Sequence, residues 1–221
     1  MADTPSREEM VERAAALTPA LAARAEEVEK TRLIHPDTVR DLWDTRLWSA
    51  VKPKRYGGLE LDYGVFLDLS DHIGRGCAST AWIYGNLLSH DWMLPMWNAQ
   101  AQDEVWKDNP TALIASSLVA TAGTAKPVAG GYEISGQWPY CSGIDPSDWT
   151  MMAAMIDDDG PRRPVWLVVP RAAFEEIDTW QVSGLVGSGS RDVKCDGVFV
   201  PKHMTLLPAE ARGGPTPGSE H

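Results

Sequence analysis

The 221-residue chain has few basic side chains, few cysteines and few phenyl rings. Twenty Lys and Arg stand against 31 Asp and Glu, a net charge of −11 at pH 7. Phosphate backbones are held by clustered cations, so this balance argues against a nucleic-acid partner. No run of about 18 apolar residues occurs, which excludes a membrane-spanning helix. The opening MADTPSREEMVER lacks a basic segment followed by an apolar one, so no secretory signal is expected and the chain reads as cytoplasmic. Cys77, Cys141 and Cys195 are scattered and form no CxxC pair, a usage that fits reduced thiols. The five histidines show no HxxxH spacing, so no metal site is expected.

What the chain does have is tryptophan. Its ten Trp outnumber the five Tyr and three Phe together. Each indole brings a large flat surface and one N–H that needs an acceptor when buried. A Trp-rich core and a pocket for a flat aromatic ligand are both compatible with that count.

Two patterns divide the chain. Up to residue 110 it reads as helical: Ser6-Arg7-Glu8-Glu9 has capping-box spacing before an Ala/Leu/Glu-rich stretch to about Lys30. Pro19 is expected to kink or split that stretch. Further helices are predicted from Pro36, over Val65–Ile73, over Ala78–Leu88 and over Gln100–Trp106. Ala78–Leu88 is nearly apolar all round, which predicts a buried helix. After Pro110 the period shortens towards two, with strands expected at 113–119, 131–135, 149–156, 165–169 and 193–200. Gly130-Gly131 marks a hairpin turn. The expected architecture is α+β: a helical domain over 1–110, a β domain over 111–207 and a Pro/Gly-rich linker over 208–221.

Most catalytic motifs fail. Gly184–Ser190 is glycine-rich, but it lacks GK[ST], its GxGxxG pattern breaks at Asp192, and no helix pattern follows. A hairpin connection and a loop touching a ligand both remain as readings. No GxSxG elbow exists, and Asp157–Asp159 lacks the EF-hand spacing. One dense polar-aromatic stretch is left, Ser135-Gly136-Gln137-Trp138-Pro139-Tyr140-Cys141-Ser142-Gly143. Glycine there permits close backbone approach and serine can donate a hydrogen bond, as a backbone lying against a flat ligand requires. A plain β-turn is the alternative.

Several stretches resemble a known family. Arg55-Tyr56-Gly57-Gly58-Leu59-Glu60-Leu61-Asp62 resembles the Y-G-G turn of the acyl-CoA dehydrogenase superfamily, Gly130–Trp138 its G-G-Y hairpin, and Asp196–Pro201 its D-x-V-x-V-P strand. The likeness is greater to one branch, the oxygenase components of two-component flavin-dependent monooxygenases that hydroxylate phenols. The matching runs are His90-Asp91-Trp92, Gln100–Trp106, Gly136–Gly143, Trp180–Asp192 and Thr216–His221.

The resemblance implies a middle β-barrel or sandwich domain and a C-terminal four-helix domain that this chain does not include. It implies reduced FMN or FAD from a separate flavin reductase, O2 as co-substrate, a flavin C4a-hydroperoxide, and a small aromatic substrate. It also implies a homo-oligomer, tetrameric when the helical domain is present. Ser142 is the implied hydroxyl at flavin N5, with Trp138, Cys141, Gly143 and Ser117 around the cofactor. His90 is the implied group that takes a phenol proton, with Trp92 and Ser116 beside the substrate. Cys141 departs from the Ser or Ala of the branch pattern. Two other readings of the chain are an acyl-CoA dehydrogenase-type flavin oxidoreductase and a non-catalytic flavin- or ligand-binding fragment that needs a partner chain.

Overall fold

A computed structural model describes residues 5–219. They fall into two compact units, one made of residues up to Trp92 with Gln181–Gly189, the other of Met93–Trp180 with Ser190 onwards. The first is helical: α1 (Arg7–Thr31), α2 (Pro36–Asp44), α3 (Val65–Gly76) and α4 (Ala78–Met93, whose last residue counts with the second unit). The second carries α5 (Ala99–Trp106) and eight strands, which confirms the α+β class.

The start of α1 is as expected. Ser6 accepts from the Glu9 N–H, and the Glu9 carboxylate accepts from the Ser6 N–H. Pro19, however, does not divide the helix, which runs as one element through Thr31. A proline costs one backbone bond there, but Met10, Ala14, Leu21 and Val28 are buried along one side and hold both halves. The next helix begins with Pro36 at its first position, where its missing N–H is harmless, and His35 Nδ1 accepts from the Asp37 N–H.

The Tyr56-Gly57-Gly58 turn is a clamp. Gly57 takes φ +82°, a conformation glycine adopts without strain. A Cβ on Gly58 would lie 1.8 Å from the Lys52 carbonyl oxygen, so only glycine fits. The chain then runs back beside residues 49–52, with Leu59 N–H donating to Ser49 O, Glu60 N–H to Lys52 O and Leu61 N–H to Ala50 O.

The second unit is one mixed sheet. Its strands are β1 (Ile114–Ser117), β2 (Gly123–Val128), β3 (Gly131–Cys141), β4 (Trp149–Ile156), β5 (Pro164–Pro170), β6 (Glu175–Ile177), β7 (Arg191–Pro201) and β8 (Thr205–Leu206). They lie in the order β6-β7-β3-β2-β4-β5-β8, with β1 added parallel to β4. The Gly130-Gly131 turn joins β2 to β3, pairing Val128 with Gly131. Sequence periodicity missed β2, β6 and β8. The Gly123-Thr-Ala-Lys-Pro-Val128 run has little β-propensity, and its strand state comes from its ladder with β3. The core holds Ile134, Trp138, Met152, Leu167, Val169 and Val193. Trp97 stacks on Trp166 at 6.2 Å. Gly218 in the tail is buried too, its N–H donating to Met96 O.

Candidate functional site

The polar-aromatic stretch is the end of β3, and a bulge shapes it. Trp138 is paired with Val193, but three residues later Cys141 faces Arg191, a slip of one in the β3–β7 register. Tyr140 absorbs the slip at φ +63°, an uncommon conformation for a non-glycine residue. A strand alternates faces, so residues three apart normally point opposite ways. Here the slip brings Cys141 to the buried side with Trp138, leaving Tyr140 exposed against the edge of Trp180.

Trp138 is fully buried and donates its Nε1–H to Ala153 O at 2.6 Å. Its ring fills the space over Gly123, where a Cβ would come within 2.0 Å of the indole. Cys141 is buried with Sγ 3.3 Å from Thr150 Oγ1. Burial pushes its thiol up to about 12, so it stays protonated.

One residue further, the same register sets Ser142 opposite Ser190. Both are buried, and their hydroxyls are 2.7 Å apart. Ser142 also forms an isolated bridge with Ser116 of β1, and Ser117 donates to Pro139 O at 2.6 Å. The sheet therefore brings together Ser116, Ser117, Trp138, Cys141, Ser142 and Gly143. Ser190 joins them, a residue missing from the sequence-predicted set. Its signal was present in the Gly184–Ser190 run, but the pairing that uses it is long-range.

The loop after Ser142 is fixed at several points. Gly143 has φ +72°, and its carbonyl accepts from Ser147 Oγ at 2.7 Å. Arg171 donates to Ile144 O at 2.7 Å and to Ser147 O at 3.0 Å. Arg191, next to Ser190, pairs with Asp145 and lies 3.5 Å from Glu176. Burial raises the Asp145 carboxyl, opposed chiefly by the Arg191 charge.

His90 and Trp92 belong to the helical unit. His90 is buried in the last turns of α4, whereas Trp92 is 43% exposed and packs on Tyr63 at 4.7 Å. The expected full burial of this helix does not hold, since Trp82 is also 52% exposed. A groove of about 470 Å³ runs along α3 and α4, lined by Phe66, Ser70, Ala81, Trp82, Gly85 and Asn86 among others. Gly184–Ser190, for which a hairpin connection was one reading, is a built segment. A short 3-10 turn covers Val186–Ser188, and the Glu29 carboxylate accepts from Ser79 Oγ and from the N–H groups of Val186 and Gly187.

Among the described residues no His/Cys/Asp/Glu cluster could hold a metal, and no helix is long and apolar enough to cross a membrane. The final motif's last residue, His221, lies outside the described residues.

Residues 4–106 match the acyl-CoA dehydrogenase N-terminal domain. The FADH2-dependent resorcinol hydroxylase oxygenase component of Rhizobium sp. is 34% identical over 98% of this chain and 53% of its own. The crystal structure of the 3-HSA hydroxylase from Rhodococcus sp. RHA1 superposes with TM-score 0.93 at 33% identity, covering 96% of this chain and 56% of that one. XiaF from Streptomyces sp., solved with FADH2 and glycerol, gives 0.84 at 33% identity, with 91% and 51% covered. Residues 4–106 thus carry the N-terminal domain of the acyl-CoA dehydrogenase family. The chain resembles the oxygenase components of flavin-dependent hydroxylases, and it spans about half their length.

Proposed function

We propose that the chain is the N-terminal half of an oxygenase component that hydroxylates a small phenolic substrate with reduced FMN or FAD and O2. The observation that carries this reading is the serine-lined bulge at the end of β3, in a chain alike over nearly its whole length to a resorcinol hydroxylase component. The residues there suit a flavin edge: Ser116, Ser142 and Ser190 supply hydroxyls that can donate or accept, on backbone held by ladder bonds. When bound, the reduced flavin supplies the electrons that activate dioxygen.

The chain's own residues position and protect. Ser142 Oγ would donate to flavin N5, with Ser190 orienting that hydroxyl. Trp138 backs the site from the core and excludes water. Cys141 remains a neutral thiol, so it packs against the cofactor site without acting as a base. Ser117 and Gly143 set the backbone on either side. The imidazole of His90 accepts the phenol proton, making the ring carbon more nucleophilic. Trp92, two residues on from His90 in the helical unit, is the aromatic side chain that the substrate ring would meet. A separate reductase supplies the flavin, and the assembly is a homo-oligomer. Its compartment is the cytoplasm, in keeping with the free thiols of Cys77, Cys141 and Cys195.

The test supplies the full-length oxygenase with a flavin reductase, reduced flavin, a panel of phenols and labelled O2. A hydroxylated product carrying one labelled oxygen supports the reading. Peroxide as the sole product, across FMN and FAD, overturns it. His90→Ala is expected to lower hydroxylation more than flavin oxidation; equal losses remove its role at the substrate.

A further inference from the structure

Between His90 and Trp92 lies a residue the reading above does not use. Asp91 is fully buried, and its Oδ2 is 3.5 Å from the Nζ of Lys52, whose side chain is 1% exposed. The second carboxylate oxygen, Oδ1, is buried without a hydrogen-bond partner. Lys52 Nζ also lies 5.3 Å from the centre of the Trp43 ring. Tyr84, two turns before Asp91 on the same face of α4, donates to Leu47 O at 3.0 Å. That face of α4 therefore meets residues 47–52, the segment clamped by the Tyr56-Gly57-Gly58 turn.

This arrangement is poor as a source of stability. Two charges out of water lose more than their attraction returns unless every lone pair is satisfied, and Oδ1 is not. Burial accordingly pushes the Asp91 carboxyl up to about 6 despite the lysine. What the pair can supply is placement. Around α4, Trp82, Ile83, Tyr84, Leu87 and Leu88 present apolar side chains in several directions, so hydrophobic burial alone sets its rotation weakly. Buried polar contacts fix such a helix, as they do the register of coiled coils, and the ion pair adds to the bond of Tyr84 with Leu47 O on the same face.

We propose that Lys52 and Asp91 are positioning residues, whose buried ion pair sets the rotation of α4 about its axis and thereby the placement of His90 and Trp92. Its consequence for hydroxylation rests on the reading of His90 given above; the placement itself does not. The pair also gives the Y-G-G turn a task, since that turn holds the Lys52 backbone.

The test is NMR of histidine rings in the 221-residue chain, with His90→Gln to assign the His90 signal. In Lys52→Met/Asp91→Leu the charges are replaced by apolar groups of similar size, and the melting temperature is expected to stay within about 4 °C of the parent. The His90 resonance should shift or split into several lines, while those of His72 and His203 stay. Lys52→Arg should keep one parent-like line. An unchanged, single His90 line in the double variant overturns the proposal. So does a large drop in its melting temperature, which would make the pair a stability element, or an equal shift in Lys52→Arg. None of these readouts uses hydroxylation, so failure of the hydroxylase reading appears separately, as absence of labelled product from the parent enzyme.

Discussion

The two units place their site residues by different means. In the sheet unit, the β3–β7 ladder, after its slip at Tyr140, pairs Cys141 with Arg191, and Ser142 and Ser190 follow with their hydroxyls 2.7 Å apart. Backbone hydrogen bonds fix the neighbours, and the side chains inherit them. In the helical unit no ladder joins α4 to the 47–52 segment. There the setting rests on apolar packing and on polar contacts that include Tyr84 to Leu47 O and Lys52 to Asp91. The sheet thus sets its hydroxyl pair chiefly through backbone register, whereas in the helical unit side-chain contacts share that task.

The largest expected effect breaks the sheet side of this contrast. Trp138→Ala removes a fully buried indole and leaves Ala153 O without its donor. It is expected to cost about 3–5 kcal/mol in denaturant unfolding, with the sheet's circular dichroism lost first. A loss under about 1 kcal/mol would show that the core closes over the gap.

The next prediction concerns the buried carboxyl, on which Lys52 and Tyr84 face and beside which His90 stands in the chain. The Asp91 group is raised from 3.8 to about 6 on folding, so the folded chain holds that proton more tightly than the unfolded one. Its favourable contribution is complete below about pH 4 and is lost as pH rises through about 6. The stability of the parent relative to Asp91→Asn should therefore fall across that window, by an amount on the order of 2–3 kcal/mol. A difference that is flat from pH 4 to 7, by urea unfolding at matched salt, would show that the carboxyl stays ionised.

A smaller effect sharpens the view of the serine cluster. Ser190→Ala removes one of two buried hydroxyls and is expected to destabilise by about 1 kcal/mol. In titrations under anaerobic conditions it should weaken reduced-flavin binding more than Ser147→Ala, which removes the hydroxyl that donates to the Gly143 carbonyl. Equal binding by the two variants would separate the Ser142–Ser190 pair from the flavin. At the low end, Arg75→Ala breaks an exposed pair with Asp71 one turn earlier on α3. Its thermal midpoint should correspond to a change within about 0.5 kcal/mol.

Local signals carried much of the fold. The capping box at Ser6, the proline at the start of α2 and the turn at Gly130-Gly131 were each readable because their partners lie within a few residues. The Y-G-G turn and the Trp180–Asp192 run stood out for the same reason, as did the resemblance they carry. The hidden elements depend on distant partners. Gly123–Val128 becomes a strand through β3, and Pro19 is tolerated because both halves of α1 are buried on one side.

By itself, the sequence determined the α+β order and singled out the short polar-aromatic stretch at the end of β3. These follow from composition, period and spacing, which need no knowledge of what lies across the fold. Only the tertiary structure decided that Cys141 turns inward beside Trp138, that Ser190 faces Ser142, and that Lys52 reaches Asp91. The slip of one residue at Tyr140 reverses the facing of Cys141 at the strand's end. The ion pair joins positions far apart in the chain, and no local pattern encodes such a meeting.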